Sequence, residues 1–157
     1  MLALLGDRLG PVHSDLAKGP LKLLDAFRSR RHAVNDLGED ADTEGRVHPM
    51  IDPDTRNRRI LAEAADPDTA LLLLDLVMGY GAHDDPASDL ARTLEQGFAN
   101  GRSLPVIVTF CGTRGGPQGY GAQVAALCAA GALVAGSNAE AVCLATRLLD
   151  ALDVQPA

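Results

Sequence analysis

The sequence predicts an α/β fold in which buried parallel strands alternate with helices. Three observations carry that reading. Short apolar runs end in glycine and small polar residues, as buried parallel strands do on entering a turn. Segments with apolar residues at three- and four-residue steps lie between them, which is the helix period. The composition is 46% hydrophobic but only 3% aromatic, so the core is aliphatic, the usual material of a parallel sheet covered on both faces.

Three strands are predicted late in the chain: Ala70–Val77 (ALLLLDLV), Pro105–Cys111 (PVIVTFC) and Ala132–Ala135 (ALVA). Two weaker ones, Pro11–Ser14 and His32–Leu37, precede them, and Met1–Leu9 reads as the end of a helix. Helical periods cover Ala87–Ala99 (Leu90, Ala91, Leu94 and Phe98 on one face), Gln118–Ala130 (Val124, Leu127, Cys128) and Ala139–Leu152 (Ala141, Ala145, Leu148, Leu149, Leu152). Gly19-Pro20, Asp52-Pro53, Asp85-Pro86 and Gly116-Pro117 each place a capping residue before a proline. Proline at the first helical position loses no needed donor, and its φ is already helical. Ser137 and Glu140 have capping-box spacing. Strand, turn, capped helix and strand in repetition make a right-handed βαβ array.

The 157 residues correspond to one domain. A formal charge of −7 without a basic stripe argues against nucleic acid as partner. No apolar stretch reaches membrane-spanning length and no secretory leader is evident, so a cytoplasmic location is expected. The three cysteines, Cys111, Cys128 and Cys143, are an odd number without metal-ligand spacing. They are expected to be small buried residues. No metal site is assigned.

In open parallel sheets, ligands bind beyond the carboxyl ends of the strands. That rule gathers the loops 36–52, 79–85, 112–118 and 136–138 on one edge. Gly112-Thr113-Arg114-Gly115-Gly116-Pro117-Gln118 follows a strand and is expected to open a helix. Its backbone N–H groups suit an anion, with Arg114 adding charge. A plain turn fits the residues equally well. In Arg46–Arg59 (RVHPMIDPDTRNRR), His48 is a candidate acid/base group, since imidazole serves proton transfer near neutral pH. An exposed loop histidine is the commoner outcome. Arg56, Arg58 and Arg59 read as a solvated helix face, with Arg56 within reach of an anion. Asp36, Glu39, Asp40 and Asp42 have oxygens for Mg²⁺, although a solvated acidic loop is the simpler account. Asp85 is most simply a cap, and His83 is left open.

Several runs carry a family resemblance in consistent order. They are DLGEDADTEGRVHPMIDP (36–53), Arg56-Asn57-Arg58, EAADP (63–67), LDLVMGYGAH (74–83), Asp85-Pro86-Ala87, Cys111-Gly112-Thr113, Pro117-Gln118 and Ser137-Asn138-Ala139-Glu140-Ala141. Together they resemble the FdrA family over nearly the whole chain, and HPMIDP is the specific run. FdrA proteins are divergent relatives of the succinyl-CoA synthetase α subunit, within the NDP-forming acyl-CoA synthetases. The resemblance implies a three-layer α/β/α, flavodoxin-like CoA-ligase domain over 1–157, with a mostly parallel sheet. It also implies that the first, central strand and a CoA-binding-type domain precede the equivalent of Met1, so the domain reads as truncated at its N-terminus. CoA or a nucleotide would then need those missing parts. Other subunits or a homo-oligomer are expected, with poor solubility or self-association when the chain is expressed alone.

The family's chemistry implied here is carbamoyl transfer that makes oxamate and carbamoyl phosphate from oxalurate. The alternatives are a residual acyl-CoA synthetase subunit and a non-catalytic assembly or regulatory subunit. The ligase phosphohistidine motif, Gly-His-Ala-Gly, falls near Gly119-Tyr120-Gly121-Ala122, where Tyr120 stands for the histidine. The ligases' acidic partner falls near Met78. The expected site is therefore His48 as acid/base, with Arg56, Gly79, Tyr80, Gly81, Gly112, Thr113, Arg114, Gln118, Ser137 and Asn138 around a small anionic substrate.

Overall fold

The computed structural model describes residues 1–25, 27–38, 45 and 47–151. Among them the elements run α1 (Leu2–Leu9), β1 (His13–Ser14), a 3-10 turn (Gly19–Leu21), β2 (Ala33–Val34), α2 (Asp54–Ala65), β3 (Leu72–Val77), α3 (Pro86–Gly97), β4 (Val106–Cys111), α4 (Tyr120–Ala129), β5 (Leu133–Ala135) and α5 (Asn138–Ala151). Glu39, Asp40, Asp42, Arg46 and Leu152 lie outside the described residues.

All strand pairs are parallel. They form two sets, β1-β2 and β3-β4-β5, so β2 and β3 are not hydrogen-bonded to each other. The expected strands are present, each shorter than its apolar run by one to four residues. β3 and β4 pair over six residues, from Leu72 with Val106 to Val77 with Cys111.

Helices cover both faces of the larger sheet, which is why β3 and β4 are apolar on both sides. On one face Leu72, Leu76, Val106 and Val108 pack with Leu90 and Leu94 of α3, Leu127 of α4 and Ile60 of α2. On the other, Ile107 and Ala135 pack with Ala141 and Ala145 of α5, joined by Leu71 and Leu73. The cluster of Leu5, Val12 and Val142, with Val34 and Leu73 against it, ties α1 and the small sheet to α5. Leu90 and Ile107 are fully buried. Truncation of either to alanine would cost about 2–5 kcal/mol.

Several expectations need correction. All three cysteines are exposed, not buried. In α4 the buried face runs through Gln123 and Leu127, which turns Cys128 outward. In α5 it runs through Ala141, Val142, Ala145, Thr146 and Leu149, which does the same to Cys143. Gly116-Pro117 does not open α4. A further turn intervenes, and the helix starts at Tyr120 after Gly119 at φ 70°. Asp52 Oδ1 accepts from Asp54 N–H at 3.1 Å, immediately ahead of α2.

The arginines at 56, 58 and 59 do not form one solvated face. Only Arg58 is exposed, near Asp54. Arg59 is 8% exposed. It pairs with Glu63, donates to Phe27 O at 3.1 Å and reaches Ser29 Oγ at 2.7 Å. Arg56 donates to Asp89 Oδ2 at 3.0 Å and to Asn57, locking α2 to α3. Burial lowers the pKa of its guanidinium, and Asp89 pulls it part of the way back.

The end of α2 is held by a residue far along the chain. Arg102 donates to Ala64 O (2.9 Å), Thr69 O (2.6 Å), Pro67 O (3.3 Å) and Asp66 O. These carbonyls include those a helix leaves unpaired at its C-terminus. Hydrogen bonds to a charged donor are the stronger kind. Arg102→Ala is therefore expected to lower unfolding free energy by about 2 kcal/mol. A urea midpoint identical to wild type would contradict this role.

Candidate functional site

Because β3, β4 and β5 are parallel, their carboxyl ends open on one edge. The turns 78–85, 112–119 and 136–138 leave from there. The first two are stitched together by Gln118, whose Nε2 donates to Gly79 O at 2.8 Å and His83 O at 3.3 Å. His83 N–H in turn donates to Met50 O at 2.9 Å, which draws the His48 turn to the same edge. Gly79, Tyr80, Gly81, Gln118 and the His48 turn are thus brought together. Tyr80 projects from this junction and is 92% exposed.

Below the junction lies a hub that sequence reasoning missed. Gln123, 5% exposed, accepts from Ala87 N–H at 2.9 Å and donates to Asp85 Oδ1 at 2.9 Å. Asp85 also accepts from Ser88 N–H at 3.4 Å as the cap of α3. The signal for Gln123 was its place four residues before Leu127, on the face that must be buried.

Gly112 sits tight against Met78 just beyond the β3–β4 ladder. A Cβ there would stand 2.7 Å from Met78 O. Past it, Gly116 N–H donates to Thr113 O at 3.1 Å and Gly119 N–H to Gly116 O at 3.4 Å. The N–H groups of Thr113, Arg114 and Gly115 have no partner among the described residues. Arg114 lies with its Cζ 5.5 Å from the centroid of the Tyr120 ring. Tyr120 is itself tilted against Phe110 at 5.4 Å. A cation over an aromatic face at an exposed site contributes about 0.5–1 kcal/mol, enough to favour one position for Arg114.

The two histidines are held alike. His48 Nδ1 accepts from Met50 N–H at 3.1 Å, and His83 Nδ1 accepts from Asp85 N–H at 3.1 Å. In the neutral rings this leaves the proton on Nε2. His48 Nε2 lies against Gly38, so close that a Cβ there would be 2.7 Å away. Gly38 N–H donates to Asp36 Oδ1 at 3.0 Å.

Other expected site residues lie elsewhere. Arg56 is spent on Asp89, and its side chain is 14% exposed. Ser137 is a cap: its Oγ accepts from Glu140 N–H at 3.2 Å, while Glu140 accepts from Gly136 N–H at 2.7 Å. Asn138 turns to the α5 face of the sheet. There its Oδ1 lies 3.1 Å from Thr109 Oγ1, and its Nδ2 lies 3.5 Å from Asp75 Oδ2. The Thr109 hydroxyl donates to Asp75 Oδ1. Asp75 and Thr109 were not anticipated, although a lone carboxylate inside LLLLDLV is an anomaly visible in the sequence.

The layers define a three-layer α/β/α domain of flavodoxin-like type, with its strand-to-helix turns gathered at the strand carboxyl ends. Residues 14–148 match the CoA-ligase family, and the chain belongs to it. This agrees with a succinyl-CoA synthetase-like subunit. The chain is also 33% identical over 148 residues to the uncharacterized protein YahF of Escherichia coli (strain K12), a match covering 91% of this chain and 29% of YahF. It therefore spans less than a third of that relative's length. No described helix is long and apolar enough to cross a membrane.

The Asp85 hub has a pH signature. Its carboxyl is held below the ordinary value of 3.8, first by the Gln123 hydrogen bond and then by Ser88. A depressed folded-state pKa stabilises fully above the ordinary value and is lost as pH falls through the folded one. Asp85→Ala should lower stability by about 1 kcal/mol at neutral pH. The gap to wild type should narrow below about pH 4. A gap that stays constant from pH 7 to pH 2.5 in thermal melts would refute the assignment.

Proposed function

We propose that this chain is an FdrA-type subunit whose strand-end turns bind a small carboxylate or an acyl or carbamoyl phosphate. The observation that carries the reading is the turn 112–119. Its N–H groups at Thr113, Arg114 and Gly115 have no partner among the described residues, and they lie beside an arginine braced on Tyr120. Such donors, fixed before the ligand arrives, suit an oxyanion or phosphate. Gly79, Tyr80 and Gly81 form the opposite wall, held by Gln118.

The concrete version is phosphorolysis of oxalurate. A phosphate oxygen forms a bond to the carbamoyl carbon as its C–N bond to the oxamate nitrogen breaks. That nitrogen takes up the proton released by phosphate, giving carbamoyl phosphate and oxamate. On this reading Thr113–Gly115 and Arg114 hold the anion, and His48 Nε2 handles the proton. CoA and nucleotide belong to other domains or subunits.

Membership of the CoA-ligase family favours a second reading, a residual acyl-CoA synthetase subunit. Against its usual phosphohistidine route stands Tyr120, packed between Phe110 and Arg114 where the resemblance puts the histidine.

The chain, alone and with its partner subunits, should convert oxalurate and phosphate to oxamate and carbamoyl phosphate, detected by mass spectrometry. Arg114→Ala should raise KM for phosphate about tenfold or more. His48→Ala should lower kcat at least about a hundredfold. ATP-dependent CoA thioester formation in place of these products would establish the ligase reading. Ligand-induced melting shifts without turnover would make the chain a non-catalytic subunit.

A further inference from the structure

We propose that Asp75 is a specificity-determining residue, accepting a hydrogen bond from a ligand N–H group and repelling a second ligand carboxylate. This deepens the reading above and rests on it only in taking the ligand to be a small carboxylate.

The case starts from the strand. In β3, Leu72 and Leu76 pack beneath α3 and α4, while Leu73 faces α5. Alternation puts Asp75 on the α5 face, level with Thr109 of β4. Leucine or valine at this position would suit a strand of this kind, yet a carboxylate stands there, and it is exposed. Thr109, 4% exposed, directs its hydroxyl at one carboxylate oxygen, and Asn138 approaches the other.

Two ordinary roles do not account for it. No Lys, Arg or His among the described residues forms an ion pair with Asp75. Nor does α5 need it as a cap, since Ser137 and Glu140 already satisfy that helix start. An ionised carboxylate only accepts hydrogen bonds, and it has about four lone-pair sites. Two are used by Thr109 and Asn138, and the rest belong to an exposed side chain two residues before the carboxyl end of β3. The chemistry such a group recognises is an amide or ammonium N–H. The chemistry it disfavours is another carboxylate, since like charges at contact distance repel and unpaired lone pairs are left facing each other.

Oxamate and oxalate form a matched pair of probes: they share one carboxylate and differ by an amide against a second carboxylate. In calorimetric titration of the full chain, oxamate should bind about tenfold or more tighter than oxalate. Asp75→Asn keeps the size and the Thr109 contact but sets an N–H2 group where an acceptor stood. It should bring the two affinities within about twofold of each other. A folded D75N, judged by circular dichroism and melting, that keeps the wild-type preference would overturn the proposal. So would a wild-type chain that binds neither probe or prefers oxalate. If D75N does not fold, N,N-dimethyloxamate reads the same contact on the wild-type chain. Lacking an N–H, it should bind about tenfold or more weaker than oxamate, and equal binding would overturn the proposal. An intact preference without carbamoyl phosphate formation would instead remove the catalytic reading and leave Asp75 in place.

Discussion

The six-residue parallel pairing of β3 with β4 is the constraint on which the other arrangements depend. Parallel strands send every strand-to-helix turn to the same edge and every return to the opposite one. Once Leu72 is level with Val106, Val77 is level with Cys111, and Met78 and Gly112 must emerge side by side. Any side chain at Gly112 would strike Met78 O. A one-residue slip would also bring Asp75 out of line with Thr109 and break the contacts that hold its carboxylate. The register therefore sets both the close approach of the two turns and the polar cluster on the α5 face.

Polar side chains then do in the turns what aliphatic packing does between the layers. Gln118 ties two turns, Gln123 ties α4 to the cap of α3, and Arg102 closes the end of α2. Each bridges segments more than thirty residues apart. Glutamine suits the first job because its N–H2 group donates to two carbonyls, and the second because one amide both donates and accepts, joining the Asp85 carboxylate to the Ala87 N–H. Arginine suits the third because its planar fork reaches several carbonyls at once.

The α5 face and the α3/α4 face of the strand ends differ in character. On the α3/α4 side, Phe110, Tyr120 and Arg114 make an aromatic and cationic wall beside the N–H groups of the turn 113–115, which have no partner among the described residues. On the α5 side, Asp75, Thr109 and Asn138 make an acceptor-rich shelf. One edge thus offers donors on one side and acceptors on the other, which is the arrangement a ligand with both an anionic and an N–H-bearing end would use.

Much of this was legible from residue order alone. Strand positions follow from apolar runs closed by glycine, and α3 starts where Asp85-Pro86 says it does, because cap and proline act within one turn of chain. The Ser137–Glu140 cap is likewise local. What failed were inferences about facing and partnership. Arg56 and Arg59 looked solvated because their partners, Asp89 and the stretch Phe27–Ser29, are about thirty residues away. The cysteines looked buried because they stand in apolar stretches, yet helix rotation against the sheet turned Cys128 and Cys143 outward. His48 and Gln118 could be nominated from sequence, but only the bonds from Gln118 and His83 show that their turns meet. Short-range hydrogen bonding and periodicity determine the elements, so the sequence by itself determined them and the edge where their turns gather. The facing of each helix and the pairing of distant polar groups depend on how the layers dock. Tertiary structure alone decided, for that reason, that Asp75, Thr109 and Asn138 form one cluster and that Arg56 belongs to the scaffold.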